Sequence, residues 1–358
     1  MTAMALAIGA VDDVTWDAFC TASPSAWFWH TTAWRDYTLA YRPELGTLSL
    51  AFAVLDGSEP VAAVPLSLEQ SEGGPEFTFG GGPCWAPACA PQLAPAEAQV
   101  VLRRALDHVD VLAAEHGAAR GAFVVSPLVP DPATTGLRWA AAAVRAGYLD
   151  TTRVSQVVDL TASEDEMLRA MTKGHRADVK RAQRDIEVEV VVDAADETFV
   201  AYQRMHERAA GRVTRPQRTF DLMRHWLSTG NAVLFAARRA GHFVGFAYVL
   251  RYGKGAYYAS AANDPDESGQ PVGHALQWRA ITWLRDAGIT TYELGAQPFD
   301  ALPHDQSSEK ELAIARFKRG FGGVGVPVFG GERYWTSDAL ATVQHRLDRY
   351  AGRLSSED

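Results

Sequence analysis

One pattern of apolar and polar positions occurs twice along the chain. TLSLAFAV (47–54) and PVAAVPLSL (60–68) are dense in β-forming residues, and Asp56-Gly57-Ser58 between them is hairpin chemistry. An amphipathic stretch from Ala96 to His116, carried by Val100, Leu102, Leu106, Val109, Val111 and Leu112, predicts a helix, and GAFVVS (121–126) predicts a strand after it. The second copy reads AVLFAARR (232–239), a turn at Ala240-Gly241, HFVGFAYVLRY (242–252), GAYYASA (255–261), a helix over 273–286 and the strand ITTYELG (289–295). Helices are expected ahead of each copy, over 13–22 and 31–41 in one and over 163–185 and 196–229 in the other. Repetition at this scale implies two α/β units of one kind.

Hairpins placed before a helix and a further strand argue against a purely parallel sheet, whose strands must alternate with helices. The expected fold class is therefore α/β with mixed parallel and antiparallel sheets. Two domains are expected, 1–152 and 153–335, followed by a segment 336–358 that holds a C-terminal helix. In that helix Leu340, Val343, Leu347, Tyr350 and Leu354 share one face, and Thr336 or Ser337 is available as its N-cap.

A length of 358 residues suits two domains, and 47% hydrophobic with 22% charged residues is ordinary globular composition. The three cysteines, Cys20, Cys84 and Cys89, form neither a disulfide framework nor a zinc motif and read as small buried fillers. The N-terminus has no basic flank before its short apolar run, and no stretch is long and apolar enough to span a membrane, so a soluble cytoplasmic protein is expected. The net charge of −9 looks at first unfavourable to any phosphate-bearing partner. Residues 1–150 carry all of it, with 7 basic and 16 acidic residues, which leaves 27 of each sign over 151–358. Basic residues are 29 Arg and only 5 Lys, so a lysine inside a motif is informative.

Two common signatures are missing, the GxSxG elbow and HExxH, and there is no Walker lysine loop. Gly320, Gly322 and Gly325 match GxGxxG, but helix precedes them and no helix follows, so a dinucleotide site is not expected. The helix read from Glu164 to Asp185 carries Lys173, Arg176, Lys180 and Arg184 on one face; like charges at that spacing cost stability, which favours an anion-facing role. Gln270-Pro271-Val272-Gly273-His274-Ala275 fits Q/R-x-x-G-x-A/G at a helix start, where free N–H groups favour phosphate. In Ile314 to Gly323, Phe317, Lys318, Arg319 and Phe321 interleave aromatic and cationic groups, suited to pack a flexible ligand and meet developing negative charge. Tyr257, Tyr258 and Glu293 stand on strands beside the expected cleft and are the groups to examine for proton transfer.

KGHRADVKRAQRD (173–185), GAYYASAAND, HALQWRAITWLRDAGITTYELGA and the closing RFKRGFGG together resemble the Fem-type (FemABX) peptidoglycan-bridge aminoacyltransferases, which are built from two tandem GNAT-like domains. The resemblance implies transfer of an aminoacyl group from aminoacyl-tRNA to an amine acceptor, with no metal and no bound cofactor. It places the family's motif lysine on Lys318, implying substrate binding and stabilisation of a tetrahedral intermediate. The acceptor's phosphates would be met by Arg35 or Arg42 and by a second arginine near Arg212 or Arg215. The acceptor is expected to be a peptidoglycan precursor, nucleotide-linked, or a small natural-product intermediate; neither DNA nor an integral membrane association is expected. Two alternatives are an acyl-CoA-dependent GNAT N-acyltransferase, using Gln270 to Ala275 as its pyrophosphate cradle, and a non-catalytic binding module.

Overall fold

The computed structural model describes residues 4–193, 196–298 and 307–354. The chain forms two compact units: one built mainly from Met1–Val154 and Pro327–Asp358, the other from Ser155–Gln297 and Lys310–Val326.

In the second unit a seven-stranded sheet runs in the order Ile186–Val191, Ala232–Arg239, His242–Tyr252, Gly255–Asn263, Thr291–Ala296, Arg153–Asp159 and Val324–Val328. The first four strands are antiparallel neighbours, as the hairpin turns predict. Gly255–Asn263 and Thr291–Ala296 then run parallel but pair only from Gly255↔Thr291 to Tyr257↔Glu293, and beyond this they part. A helix, Val272–Asp286, connects them and buries Leu276, Ala280, Ile281 and Leu284 against Val233, Phe235, Ala247 and Val249 of the sheet. It stops where Gly288 adopts a positive φ of 79°.

The single helix expected over 163–185 is two, Glu164–Ala170 and Lys173–Ala182. Thr172 separates them because its backbone is extended and its hydroxyl accepts from His175 N, which makes it the cap of a new helix. The stretch 196–229 likewise divides into Asp196–Ala210 and Gln217–Ser228, broken by Gly211 at φ 68° and by Pro216 at the cap.

The first unit holds the other copy of the pattern. Leu6–Gly9, Phe52–Asp56, Glu59–Val64 and Ala88–Cys89 form one sheet, and Arg120–Val124 centres a second. Cys84–Trp85 runs parallel to Phe123–Val124, after which the chain crosses at Ala86-Pro87 to pair Ala88 and Cys89 with Ala63 and Ala62 of the first sheet. A long helix, Pro95–His116, follows. The arrangement is the one in the second unit: a short parallel pairing, parting strands and a helix.

The expected boundary at 335 does not coincide with these units. Gly330–Tyr334 pairs antiparallel with Arg120–Val124, and so returns to the first unit's sheet. The chemistry that holds it there is Glu332, buried, which accepts from Arg120 at 2.9 Å, Arg346 at 2.7 Å and the Tyr334 hydroxyl at 2.7 Å. Burial alone would raise the Glu332 carboxyl, but these partners outweigh it and bring it down to about 2. Arg346 belongs to the C-terminal helix Ser337–Leu354, which Thr336 caps through its hydroxyl to Ala339 N. Leu340 and Leu347, expected to dock that helix, remain 50% and 44% exposed, while Val343 and Tyr350 are half-buried and the Leu354 side chain lies outside the described residues. Cys20 and Cys84 are buried, Cys89 is half-buried and all three are free thiols. Among the described residues no helix is long and apolar enough to cross a membrane.

Candidate active site

The parting of Gly255–Asn263 from Thr291–Ala296 is closed by the end of a third element, the helix Glu309–Arg319. Its last turn reaches both sides of the opening. The Phe317 ring lies 3.0 Å from where a Cβ on Gly273 would stand, and Lys318 Nζ lies 2.8 Å from the same position on Gly295. At Gly295 a φ of 102° favours glycine, and at Gly273 the Phe317 ring would have to give way to a Cβ. Arg319 donates to the Gln297 side-chain oxygen at 2.7 Å, which ties the turn to the chain following the strand.

Lys318 faces Glu293 and Tyr257. These two are register partners on adjacent strands, so strand alternation puts both on one face. Glu293 is only 7% exposed, and Ser155 Oγ donates to its Oε1 at 2.6 Å. Burial drives the Glu293 carboxyl up to about 7, against the opposing pull of the Ser155 hydrogen bond and the Lys318 charge. Burial also lowers Lys318, while the Glu293 charge resists that shift. Tyr257 is raised above its ordinary value by burial and then by the Glu293 charge, so its hydroxyl stays protonated. Tyr258 points to the opposite face, packed against the core and in hydrogen-bonding contact with Gln277; burial pushes it up to about 12. Of the two tyrosines, the structure therefore brings Tyr257, not Tyr258, to Lys318.

The helix start at Val272 is covered rather than open. His274 lies 3.6 Å from the Asp178 carboxylate, and His175, His274, Phe317 and Phe321 pack as one ring cluster, with His175 and His274 centroids 4.6 Å apart. Burial lowers His274 to about 4, which keeps it neutral. His175 Nε2 donates to the Phe317 carbonyl at 2.9 Å, and its Nδ1 meets the Thr172 hydroxyl at 3.1 Å. The glycines of RGFGG serve this packing. A Cβ on Gly320 would lie 2.0 Å from the His175 ring, and one on Gly323 2.1 Å from Val157 O. Gln156 Nε2 donates to Gly322 O at 2.6 Å. The strand Val324–Val328 follows, as expected of a GxGxxG match without dinucleotide context.

The basic face of Lys173–Ala182 divides by task. Lys173, Lys180 and Arg184 are exposed, whereas Arg176 donates to the Arg169 and Met171 carbonyls and caps the preceding helix. Gln270 is exposed at the edge of the covered helix start. Arg212 is exposed, while Arg215 is engaged with His206 at 3.4 Å and Met223 Sδ at 3.2 Å and lies over the Phe220 ring. In the first unit Arg35 forks onto Asp13 with both contacts at 2.8 Å, beside a pocket lined by Trp16, Trp29, Trp34, Phe79 and Trp85. Arg42 lies over the Tyr41 ring. Among the described residues no group of three or more His, Cys, Asp or Glu is placed to hold a metal ion. Sequence reasoning did not single out Ser155, His175, His274, Asp178 or Gln297. The one signal available was a histidine directly after glycine in both KGHR and VGHA.

Comparisons with known proteins agree with this architecture. Residues 169–310 match the acetyltransferase (GNAT) domain family. A UDP-N-acetylmuramoylpentapeptide-lysine N(6)-alanyltransferase of Weissella viridescens is 30% identical over 148 residues, which is 40% of this chain and 44% of that enzyme. The match thus spans less than half of that relative's length. The crystal structure of FemX superposes with a TM-score of 0.68 at 15% identity, covering 94% of this chain and 99% of the other. A tandem GNAT protein from the clavulanic acid biosynthesis pathway superposes at 0.51 with 14% identity, covering 92% and 98%. Residues 169–310 are thus similar to a GNAT domain, and the chain, with parting strands and a connecting helix in each of two units, shares the fold of FemX.

Proposed function

We propose that the chain is an amide-forming aminoacyltransferase that moves an aminoacyl group from aminoacyl-tRNA to a primary amine of a peptidoglycan precursor or a related natural-product intermediate. The observation that carries this reading is the closure of the strand opening by Phe317 and Lys318. An acyl-CoA would need its pyrophosphate at the N-terminus of Val272–Asp286. Phe317 covers that place and the Asp178 carboxylate stands beside it, a poor setting for a diphosphate. The exposed Lys173, Lys180 and Arg184 offer a surface for a phosphate backbone instead.

In this reading the neutral amine attacks the ester carbonyl carbon, and the oxyanion that forms is met by the Lys318 ammonium. Collapse breaks the bond to the ribose oxygen, which takes up the proton lost by the amine, and leaves the new amide. Glu293 stands behind Lys318 and keeps it charged despite burial, while the Ser155 hydroxyl fixes the carboxylate. The test is product formation, read by mass spectrometry, from amino acid, its synthetase, tRNA and a peptidoglycan-precursor acceptor, beside an acyl-CoA control. Product should vanish with RNase, and Lys318→Ala should cost ~10²–10³ in rate in a folded protein. Product that survives RNase, or that forms from acyl-CoA, sinks the tRNA reading; full turnover by Lys318→Ala sinks the assignment of the lysine.

A further inference from the structure

The first unit has the same opening as the second, without the plug. Cys84–Trp85 and Phe123–Val124 run parallel and part at their carboxyl ends, where Ala86-Pro87 carries one strand across to the other sheet. In open α/β folds the crevice beyond the carboxyl ends of diverging strands is where ligands bind. Here a small cavity of about 50 Å³, open to solvent on one side, lies between Ala86 to Pro91 and Val125-Ser126. The helices Pro95–His116 and Pro132–Arg145 complete it with Ala98, Leu102, Thr135, Arg138 and Trp139.

Several of the side chains around it carry donors. The backbone of the wall is already satisfied: His30 Nε2 donates to Ala86 O at 3.0 Å, and Ser25 Oγ accepts from Cys89 N at 2.6 Å. Trp139 is 2% exposed, and its indole N–H is buried with no partner. A buried donor left unpaired is costly, so such a group points to a missing acceptor. Arg138 is half-buried, and among the described residues its guanidinium has no carboxylate within ion-pair distance; Asp131, which feels its charge weakly, accepts from Thr134 N to cap the helix. The hydroxyls of Ser126 and Thr135 add donors, and among the described residues no acid lines the cavity. Leu102, Ala98 and Val125 supply an apolar floor.

We propose that this cavity binds a small carboxylate with a short apolar tail, the carboxylate forked by Arg138, and that its binding turns the buried Trp139 Nε1 onto the same oxygens. A planar guanidinium matches two carboxylate oxygens at once, and the remaining oxygen lone pairs take the indole and hydroxyl donors. The site is separate from Lys318 and does not depend on the transfer reaction.

The experiment uses the full chain with butyrate as probe, followed by saturation-transfer NMR, with butyramide and inorganic phosphate as comparisons. Butyrate should bind more tightly than butyramide and phosphate. Arg138→Gln, a change at a half-exposed position, should weaken it about tenfold or more, since it removes a charged hydrogen-bond pair. Trp139→Phe, which keeps the ring and loses only the N–H, should weaken it severalfold, and Lys318→Ala should leave it unchanged. Butyramide binding as well as butyrate, phosphate binding better than either, or an affinity that Arg138→Gln does not alter overturns the proposal.

Discussion

Glu293 carries an unusual cost for a side chain. Its folded value stands above the ordinary carboxylate value because burial opposes the charge, so the stability it contributes is complete at acid pH and is lost as pH rises through about 7. Glu293→Gln keeps the shape and an acceptor for Ser155 while removing that charge. It should raise the stability of the chain above pH 7 by up to about 3 kcal/mol, measurable by urea unfolding at pH 8, and should make no such difference at pH 5. Activity should move the other way. If the charged carboxylate keeps Lys318 protonated, kcat/KM should fall on the acid side near pH 7 as Glu293 takes up a proton and on the alkaline side below the ordinary lysine value. In Glu293→Gln the acid limb should disappear and the alkaline limb should shift lower. An unchanged profile would remove Glu293 from the reaction. Lys318 could be found from sequence because lysine is scarce here and stands between aromatics. Ser155 could not, because its partner is 138 residues away and a lone serine on a strand carries no periodic signal.

At the scale of elements, hydrophobic spacing located the strands Ala232–Arg239 and His242–Tyr252 and the helix Ser337–Leu354, since each presents an apolar face of one period. It merged Glu164–Ala170 with Lys173–Ala182 because both helices put apolar residues toward one core, and the break rests on a single threonine hydroxyl. It also passed over Pro132–Arg145, and over Gly330–Tyr334, whose place is set by a partner strand distant in the chain. The RGFGG segment can be tested at this scale. Gly323 has φ 78° and no room for a Cβ beside Val157 O, so Gly323→Ala should destabilise the chain by about 2–4 kcal/mol. Gly174 lies in a helix with nothing within 4 Å of a Cβ, and Gly174→Ala should stabilise it by about 0.5–1 kcal/mol. Chemical denaturation of the two variants separates a packing role from mere glycine content, and equal stabilities would refute the close-approach account.

Across the whole molecule, two repeated units were readable from the order of hairpin, helix and strand, but the return of 327–358 to the first unit was not. The reason lies in Glu332 and its arginines. A carboxylate held at about 2 contributes stability that is present above its ordinary value and lost as pH falls toward 2. Glu332→Gln should cost about 3 kcal/mol at neutral pH by leaving Arg120 and Arg346 without their counter-charge, and the variant should show a flatter melting temperature between pH 5 and 2.5 than the parent. A parent-like melting curve would deny Glu332 that role. The net charge of −9 takes on meaning here too: the acid excess belongs to residues 1–150, while the segment with Lys173, Lys180 and Arg184 is balanced overall and cationic locally.

The return of Gly330–Tyr334 to Arg120–Val124 also sets an order of events during synthesis. The ribosome delivers the first unit's other strands before the second unit, yet the strand that sits beside Arg120–Val124 emerges only after it. The second unit, complete once Val326 has left the exit tunnel, is free to fold while the first still waits for its last strand. The first unit is therefore finished after the second, and a released chain truncated after Val326 would hold a complete second unit and a first unit with an open sheet edge.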